Sequence, residues 1–321
     1  MPEQSGILFI RGESMFIKVL GSAAGGGCPQ WNCGCSNCRR IRDQDPAVSA
    51  RRNDSLAISP DGARWALLNA GPDVCLQTES HAALRPNPAT LRGSPVEAVL
   101  LTDAELDHTT GLLQLRQGSA IAVYATSPVL GALEGDFPVR RIVEPFASFA
   151  WQETRVEESF PLFGGQLSVC PFLLGDKPPR YVDSGNGRPS YKESAAWVVG
   201  YRVTDRRTGG TIVYAPGIEI WTRTLERHLA DADCVLVDGT FWRGDELILL
   251  GVSELDAADM GHLPAGGPNG SAERLSLVRA RRKVYIHINN TNPMLAQDSP
   301  ERQAVERLGI EIGVDGMEME V

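Results

Sequence analysis

The sequence predicts an α/β protein built from two β-sheets packed together with helices outside them. Strand-like runs fill both halves of the chain, and helical runs follow some of them. The 33 Gly and 21 Pro suit a loop-rich fold better than a helix bundle. The 321 residues can enclose a sizeable core, and 42% hydrophobic and 22% charged residues are ordinary for a globular protein. No stretch of linker composition divides residues 15–321, so a single domain is expected there.

Residues 1–14 carry Glu3 and Glu13 and lack a long apolar stretch. They read as an extension outside the fold and not as a secretory signal. The first strand is expected at 16–20 (Phe-Ile-Lys-Val-Leu). Further strands are expected at 55–59, 65–69, 96–101, 121–124, 197–203, 211–214, 234–237, 247–251 and 283–288. Helices are expected at 109–116, 221–230, 271–280 and 300–308. Ser271 is placed as the cap of the third helix, and Ser299 with Pro300 at the start of the fourth. Gly-, Pro- and Asn-rich stretches at 85–95, 176–192 and 261–270 read as long loops.

The net charge of −9 disfavours nucleic acid and anionic lipid as partners. The arginines at 39, 40 and 42, at 51 and 52, and at 279, 281 and 282 read as solvated faces. No run approaches the ~18 apolar residues that a membrane span needs. No membrane insertion and a cytoplasmic location are the resulting expectations.

Four of the seven cysteines crowd into Cys28-Pro-Gln-Trp-Asn-Cys33-Gly-Cys35-Ser-Asn-Cys38. Without an export signal, such a cluster points to metal more than to disulfides. Cys33, Cys35 and Cys38, with Gly34 in the turn, can close on one tetrahedral Zn(II) of structural type. Cys28 is expected as the fourth ligand, with a distant residue such as Asn290 as the alternative. A redox pair or free thiols is the competing reading, and three independent thiols so close together is the poorer one. The preceding Gly21–Gly27 stretch lacks the Gly-Lys-Ser/Thr of a phosphate loop.

The strand at 96–101 runs into Thr102-Asp103-Ala104-Glu105-Leu106-Asp107-His108. Where a strand gives way to a helix, ligands commonly bind, and adjacent Asp107 and His108 can both reach one ion. This segment resembles the His-x-His-x-Asp-His signature of the metallo-β-lactamase superfamily, with Asp103 and Glu105 in place of its first two histidines. Later segments follow in the superfamily's order. They are Ala195–Tyr201, with Ser194 near a lost histidine; Val213–Ile218, with Gly217 for the bridging aspartate; Asp233–Phe241; Met260–Pro264; and Tyr285–Pro293. The resemblance implies a four-layer αββα sandwich. It also implies loss of one metal position and survival of a second, held by Asp107, His108 and His287.

The Gly-rich stretch with Cys-x-Cys-x-x-Cys, Asp238-Gly-Thr-Phe-Trp242, Met260-Gly-His-Leu-Pro264 and His287-Ile-Asn-Asn-Thr-Asn-Pro-Met-Leu295 resemble the coenzyme PQQ synthesis protein B family, from Met15 to Val321. That resemblance implies a role in making pyrroloquinoline quinone (PQQ) from a Glu–Tyr unit. The family has been described both as an iron- and oxygen-dependent tyrosine-ring hydroxylase and as a carrier of PQQ or a precursor. Two imidazoles and a carboxylate with open positions suit Fe(II), and one metal suits two-metal hydrolysis poorly. Asp107, His108 and His287 are therefore expected as iron ligands, and His262 as a group that orients substrate or moves protons. Asp103 and Glu105 are expected as acceptors for a ligand imidazole, with plain surface acids as the alternative. A single-metal hydrolase is the third functional reading. A homodimer is compatible with the resemblance. His81 and His228 have no ligand-like neighbours and are read as structural.

Overall fold

A computed structural model describes residues 14–117, 120–182 and 196–321. Its strands are β1 (Phe16–Gly21), β2 (Ser55–Ser59), β3 (Trp65–Leu68), β4 (Val96–Leu100), β5 (Ile121–Thr126), β6 (Phe149–Thr154), β7 (Phe160–Leu162), β8 (Leu167–Gly175), β9 (Val198–Asp205), β10 (Thr211–Ala215), β11 (Cys234–Asp238), β12 (Arg282–Ile286), β13 (Glu311–Ile312) and β14 (Glu318–Glu320). The described residues form two seven-stranded sheets, ordered β14-β1-β2-β3-β4-β5-β6 and β13-β12-β11-β10-β9-β8-β7. Each sheet is mixed. β3 to β6 run parallel in the first, as β10 to β13 do in the second.

Burial explains the layering. Every residue of β2, β3, β10 and β11 is buried, as strands covered on both faces require. Ile17, Leu56, Ile58 and Leu68 of the first sheet meet Tyr201, Tyr214, Leu236 and Ile286 of the second in one core. The other face of the first sheet packs under helices Val74–Ser80, Ser127–Glu134 and Val139–Val143. The other face of the second packs under Arg223–Ala230, Ser271–Ser276 and Pro300–Arg307. This is the αββα sandwich expected from the sequence.

Several expected elements change. The run at 247–251 is not a strand. Glu246–Leu249 is a helical turn, with Glu246 accepting the Trp242 N–H at 2.9 Å, and Ile248, Leu249 and Leu250 face solvent. A short apolar run carries no period that separates strand from helix. The helix expected at 109–116 is a turn of α-helix at Leu106–Thr109 continued by a 3-10 turn at Thr110–Leu113. Ser271 does not cap its helix: Gly270 holds that position, and the Ser271 hydroxyl pairs with the Tyr285 hydroxyl at 2.8 Å. Ser299 does cap Pro300–Arg307, accepting from the Arg302 N–H at 3.0 Å. Residues 1–13, Ser194 and most of the 176–192 loop lie outside the described residues. Among the described residues no helix is long and apolar enough to cross a membrane.

The two sheets meet at the ends of their parallel strands. Ala23, just past β1, bridges to Asn53 beside the first sheet and to Ile288 beside the second. Two chain segments come into close backbone contact beneath the same point. A Cβ on Gly111 would overlap the Gly71 carbonyl oxygen, and one on Gly71 would overlap the Asp107 carbonyl oxygen. We expect Gly111→Ala to destabilise the protein by about 1–3 kcal/mol in urea titration. An unchanged midpoint would show that this close approach does not hold the 107–111 segment.

Candidate metal centre

Asp107 and His108 follow β4, and His287 follows β12, so all three sit at the carboxyl ends of parallel strands. The turn before Asp107 is tied down locally. Asn69 accepts the Thr102 N–H at 2.9 Å, Asp103 accepts the Glu105 N–H at 2.9 Å, and the His108 carbonyl accepts from Ala70 at 2.8 Å. His287 holds φ +52°, a left-handed conformation that costs a non-glycine residue about 1–3 kcal/mol. It ends β12 abruptly and turns its imidazole toward the first sheet.

The Asp107 carboxylate lies 3.7 Å from His108 Nε2 and 3.5 Å from His287 Nε2. One ligand atom from each of the three residues falls within 4.8 Å of the others. His108 and His287 are 3% and 6% exposed. His108 Nε2 is buried without a hydrogen-bond partner. Burying a polar nitrogen unpaired costs about 1–3 kcal/mol, and a cation between these three groups would remove that cost. The donor set therefore fits a metal ion.

The far side of each imidazole is also engaged. His108 Nδ1 donates to both Asp103 oxygens at 2.9 and 2.8 Å. Burial opposes charge on His108, but Asp103 and Asp107 outweigh it and raise the group to about 10. Burial likewise works against ionisation of Asp107, yet the two histidines hold its carboxyl well below the usual range. His287 Nδ1 donates to the Thr240 hydroxyl at 2.8 Å, and that hydroxyl lies 2.7 Å from Asp238 Oδ1. His262 Nδ1 donates to Asp238 Oδ2 at 2.7 Å, and its ring stacks 5.3 Å from His287. Asp238, His262 and His287 also have ligand-type atoms within 4.8 Å of one another. The 2.7 Å contact, however, is that of a hydrogen bond already occupied by a proton.

The two acids expected to serve ligand imidazoles separate here. Asp103 is buried and does so. Glu105 is exposed and lines the cavity without touching a ligand imidazole. His81 stands away from the site, and His228 pairs with Glu157 at 3.1 Å while stacking on Phe172. The sequence reading missed Asp54, Asp238, Thr240 and Tyr214. Asp54 is fully buried behind the site, takes the Tyr214 hydroxyl at 2.5 Å and is raised to about 6, chiefly by burial. No local pattern marks Asp54, whereas Asp238 and Thr240 lie inside the Asp-Gly-Thr-Phe-Trp segment already singled out.

A second donor cluster lies nearby. Cys33, Cys35 and Cys38 bring their sulfurs within 4.8 Å of one another. The Asn290 side-chain amide contacts all three, at 3.1, 3.5 and 3.3 Å. Cys28, expected as the fourth ligand, stays outside this group. Its backbone pairs with Arg51, and burial pushes its thiol up to about 12, with Cys38 adding to the shift.

The first set opens into a cavity of about 470 Å³ lined by residues of both sheets, His262, Gly217 and Phe241 among them. The β-lactamase superfamily domain matches residues 64–288. Coenzyme PQQ synthesis protein B of Pseudomonas putida is 42% identical over 96% of this chain and 100% of its own length. That of Cupriavidus taiwanensis is 44% identical over 94% and 98%.

The chain belongs to the coenzyme PQQ synthesis protein B family of the β-lactamase superfamily.

The zinc-bound PqqB structure from Methylobacterium extorquens superposes with a TM-score of 0.87 at 36% identity, over 95% of this chain and 100% of that one. A diphosphatase of the PhnP family, 17% identical, shares the fold with a TM-score of 0.66 over 96% of this chain and 97% of its own. In this member of the family, Asp103 bonds a ligand-type imidazole through its carboxylate, where the superfamily signature has a histidine.

Two outcomes are expected. His108→Ala or His287→Ala removes metal from the first set and leaves the cysteine site loaded, as metal counting on purified variants will show; loss of both metals together contradicts two independent sites. Metal uptake at His108 also displaces a proton that the metal-free chain holds up to a pH of about 10. Affinity should therefore rise with pH below that value, by up to about tenfold per unit for one displaced proton. Calorimetry in buffers of different ionisation enthalpy checks this, and a pH-independent affinity refutes it.

Proposed function

We propose that this chain acts in PQQ biosynthesis as an Fe(II)- and O2-dependent hydroxylase of the tyrosine ring in a Glu–Tyr dipeptide. One observation carries the reading: a carboxylate and two imidazoles converge, one of them with a bare buried nitrogen, at the floor of a cavity of about 470 Å³. Asp107, His108 and His287 would hold the iron. With three protein ligands, Fe(II) retains open positions and supplies O2 activation. Zn(II) would be held apart from the chemistry by Cys33, Cys35 and Cys38, with the fourth position taken by Cys28 or by the Asn290 side-chain oxygen, a reading supported by the three clustered thiols and by the zinc-bound relative.

The remaining work falls to the chain. Asp103 and Thr240 fix the tautomers of His108 and His287 by accepting their Nδ1–H groups, which leaves each Nε2 free to coordinate. Asp238 does the same for His262. His262 Nε2 is then the nitrogen able to take the phenol proton of a bound tyrosine, and Phe241 beside it shields the ring from water. The names of the relatives support the pathway assignment.

The test is anaerobic loading with Fe(II), then addition of Glu–Tyr, O2 and a two-electron reductant. The dipeptide should gain ring oxygen, and the second oxygen atom should leave as water. Zinc-supported hydrolysis without O2, or tight PQQ binding without turnover, would refute the reading. Asp238→Asn should lower kcat and leave metal content unchanged.

A further inference from the structure

The cavity above the ligand set is lined by charges of both signs. The chain carries a net charge of −9, yet one wall presents Lys177 and Arg180, on the loop that leaves β8. Lys177 is half-buried, and its Nζ donates to the Asp259 carbonyl, three residues before His262. Arg180 is exposed, and among the described residues no ion pair or hydrogen bond occupies its guanidinium. Two cations side by side repel: burial first, then the neighbouring Arg180, lowers the Lys177 ammonium. Glu105, Glu219 and Asp259 already offset part of the Lys177 charge, so the capacity left for an anionic ligand lies chiefly with the Arg180 guanidinium.

An acid lies on the same lining. Glu219 follows β10, and its carboxylate rests over Gly175, 2.8 Å from where a Cβ would stand. Gly175 must lack a side chain for Glu219 to lie there. Tyr181 and Phe241 add aromatic surface to the same lining. The lining thus brings cations, an acid able to take a cation, and aromatic rings into one cavity.

We propose that Lys177 and Arg180 form a carboxylate subsite, and that Glu219 takes the ammonium group, of an amphoteric dipeptide bearing a phenol ring. The proposal rests on the hydroxylase reading for the identity of the ring, and on the cavity for the charges. A fork-shaped guanidinium suits a carboxylate in two-point contact, so Arg180 sets selectivity and Lys177 adds charge while holding the loop before His262.

The test is calorimetry on the iron-loaded protein under nitrogen, titrated with Glu–Tyr and with its diamide. The parent should bind the acid about 10- to 100-fold more tightly than the diamide. Arg180→Ala should erase that ratio, Arg180→Lys should restore part of it, and Glu219→Gln should weaken Glu–Tyr but not its N-acetyl derivative. In turnover, Arg180→Ala should raise KM with kcat retained. Equal binding of acid and diamide by the parent, or an unchanged ratio in a normally melting Arg180→Ala, overturns the subsite. Selective binding without oxygen-dependent product overturns the hydroxylase reading and leaves the subsite standing.

Discussion

One carboxylate joins the two halves of this molecule. Asp107 comes from the first sheet and lies within 3.7 Å of an imidazole beside it and 3.5 Å of an imidazole from the second sheet. Three ionisable groups this close and this buried are costly unless their charges balance. The fold meets that demand from both sides. Tyr214, on the second sheet, donates to Asp54, next to the first. Ala23 ties the two sheets through backbone bridges. Sheet packing and site geometry are thus the same problem: a shift of one sheet against the other would part His287 from Asp107.

Behind the three ligand-type groups stands a layer that decides what they can do. Each imidazole has one nitrogen committed, to Asp103, Thr240 or Asp238. Such commitments orient the rings and raise the basicity of the free nitrogen. The arrangement is paid for in strain at His287, whose positive φ is held by the Thr240 hydroxyl at its carbonyl and by the Ile288 N–H to Ser22.

The cysteine cluster and the histidine set are neighbours in the chain through one loop. His287 and Asn290 are three residues apart, and the loop between them is pinned by Asn37, whose amide donates to the carbonyls of Asn290 and Asn292 at 3.0 and 2.9 Å. Asn37 lies between Cys35 and Cys38. Order in the cysteine segment therefore reaches the backbone that carries His287.

Local pattern in the sequence determined a good deal. Alternating and continuous apolar runs placed β1, β2, β4 and β11 because strand burial has a short period. Ser299-Pro300 marked a helix start because capping is a contact over three residues. The tight Cys-x-Cys-x-x-Cys spacing marked thiols that the fold keeps within 4.8 Å of one another, and Asp107-His108 marked a cluster of ligand-type groups at a strand end. Tertiary structure alone decided the rest. It set the Asn290 amide beside the three sulfurs, and it split Asp103 from Glu105 by burying only the first. It also recruited Asp54, 53 residues before Asp107, and put Lys177 and Arg180 on the cavity wall. Those choices depend on which atoms the folded chain brings within a few ångströms and shields from water, and spacing along the sequence carries no record of either.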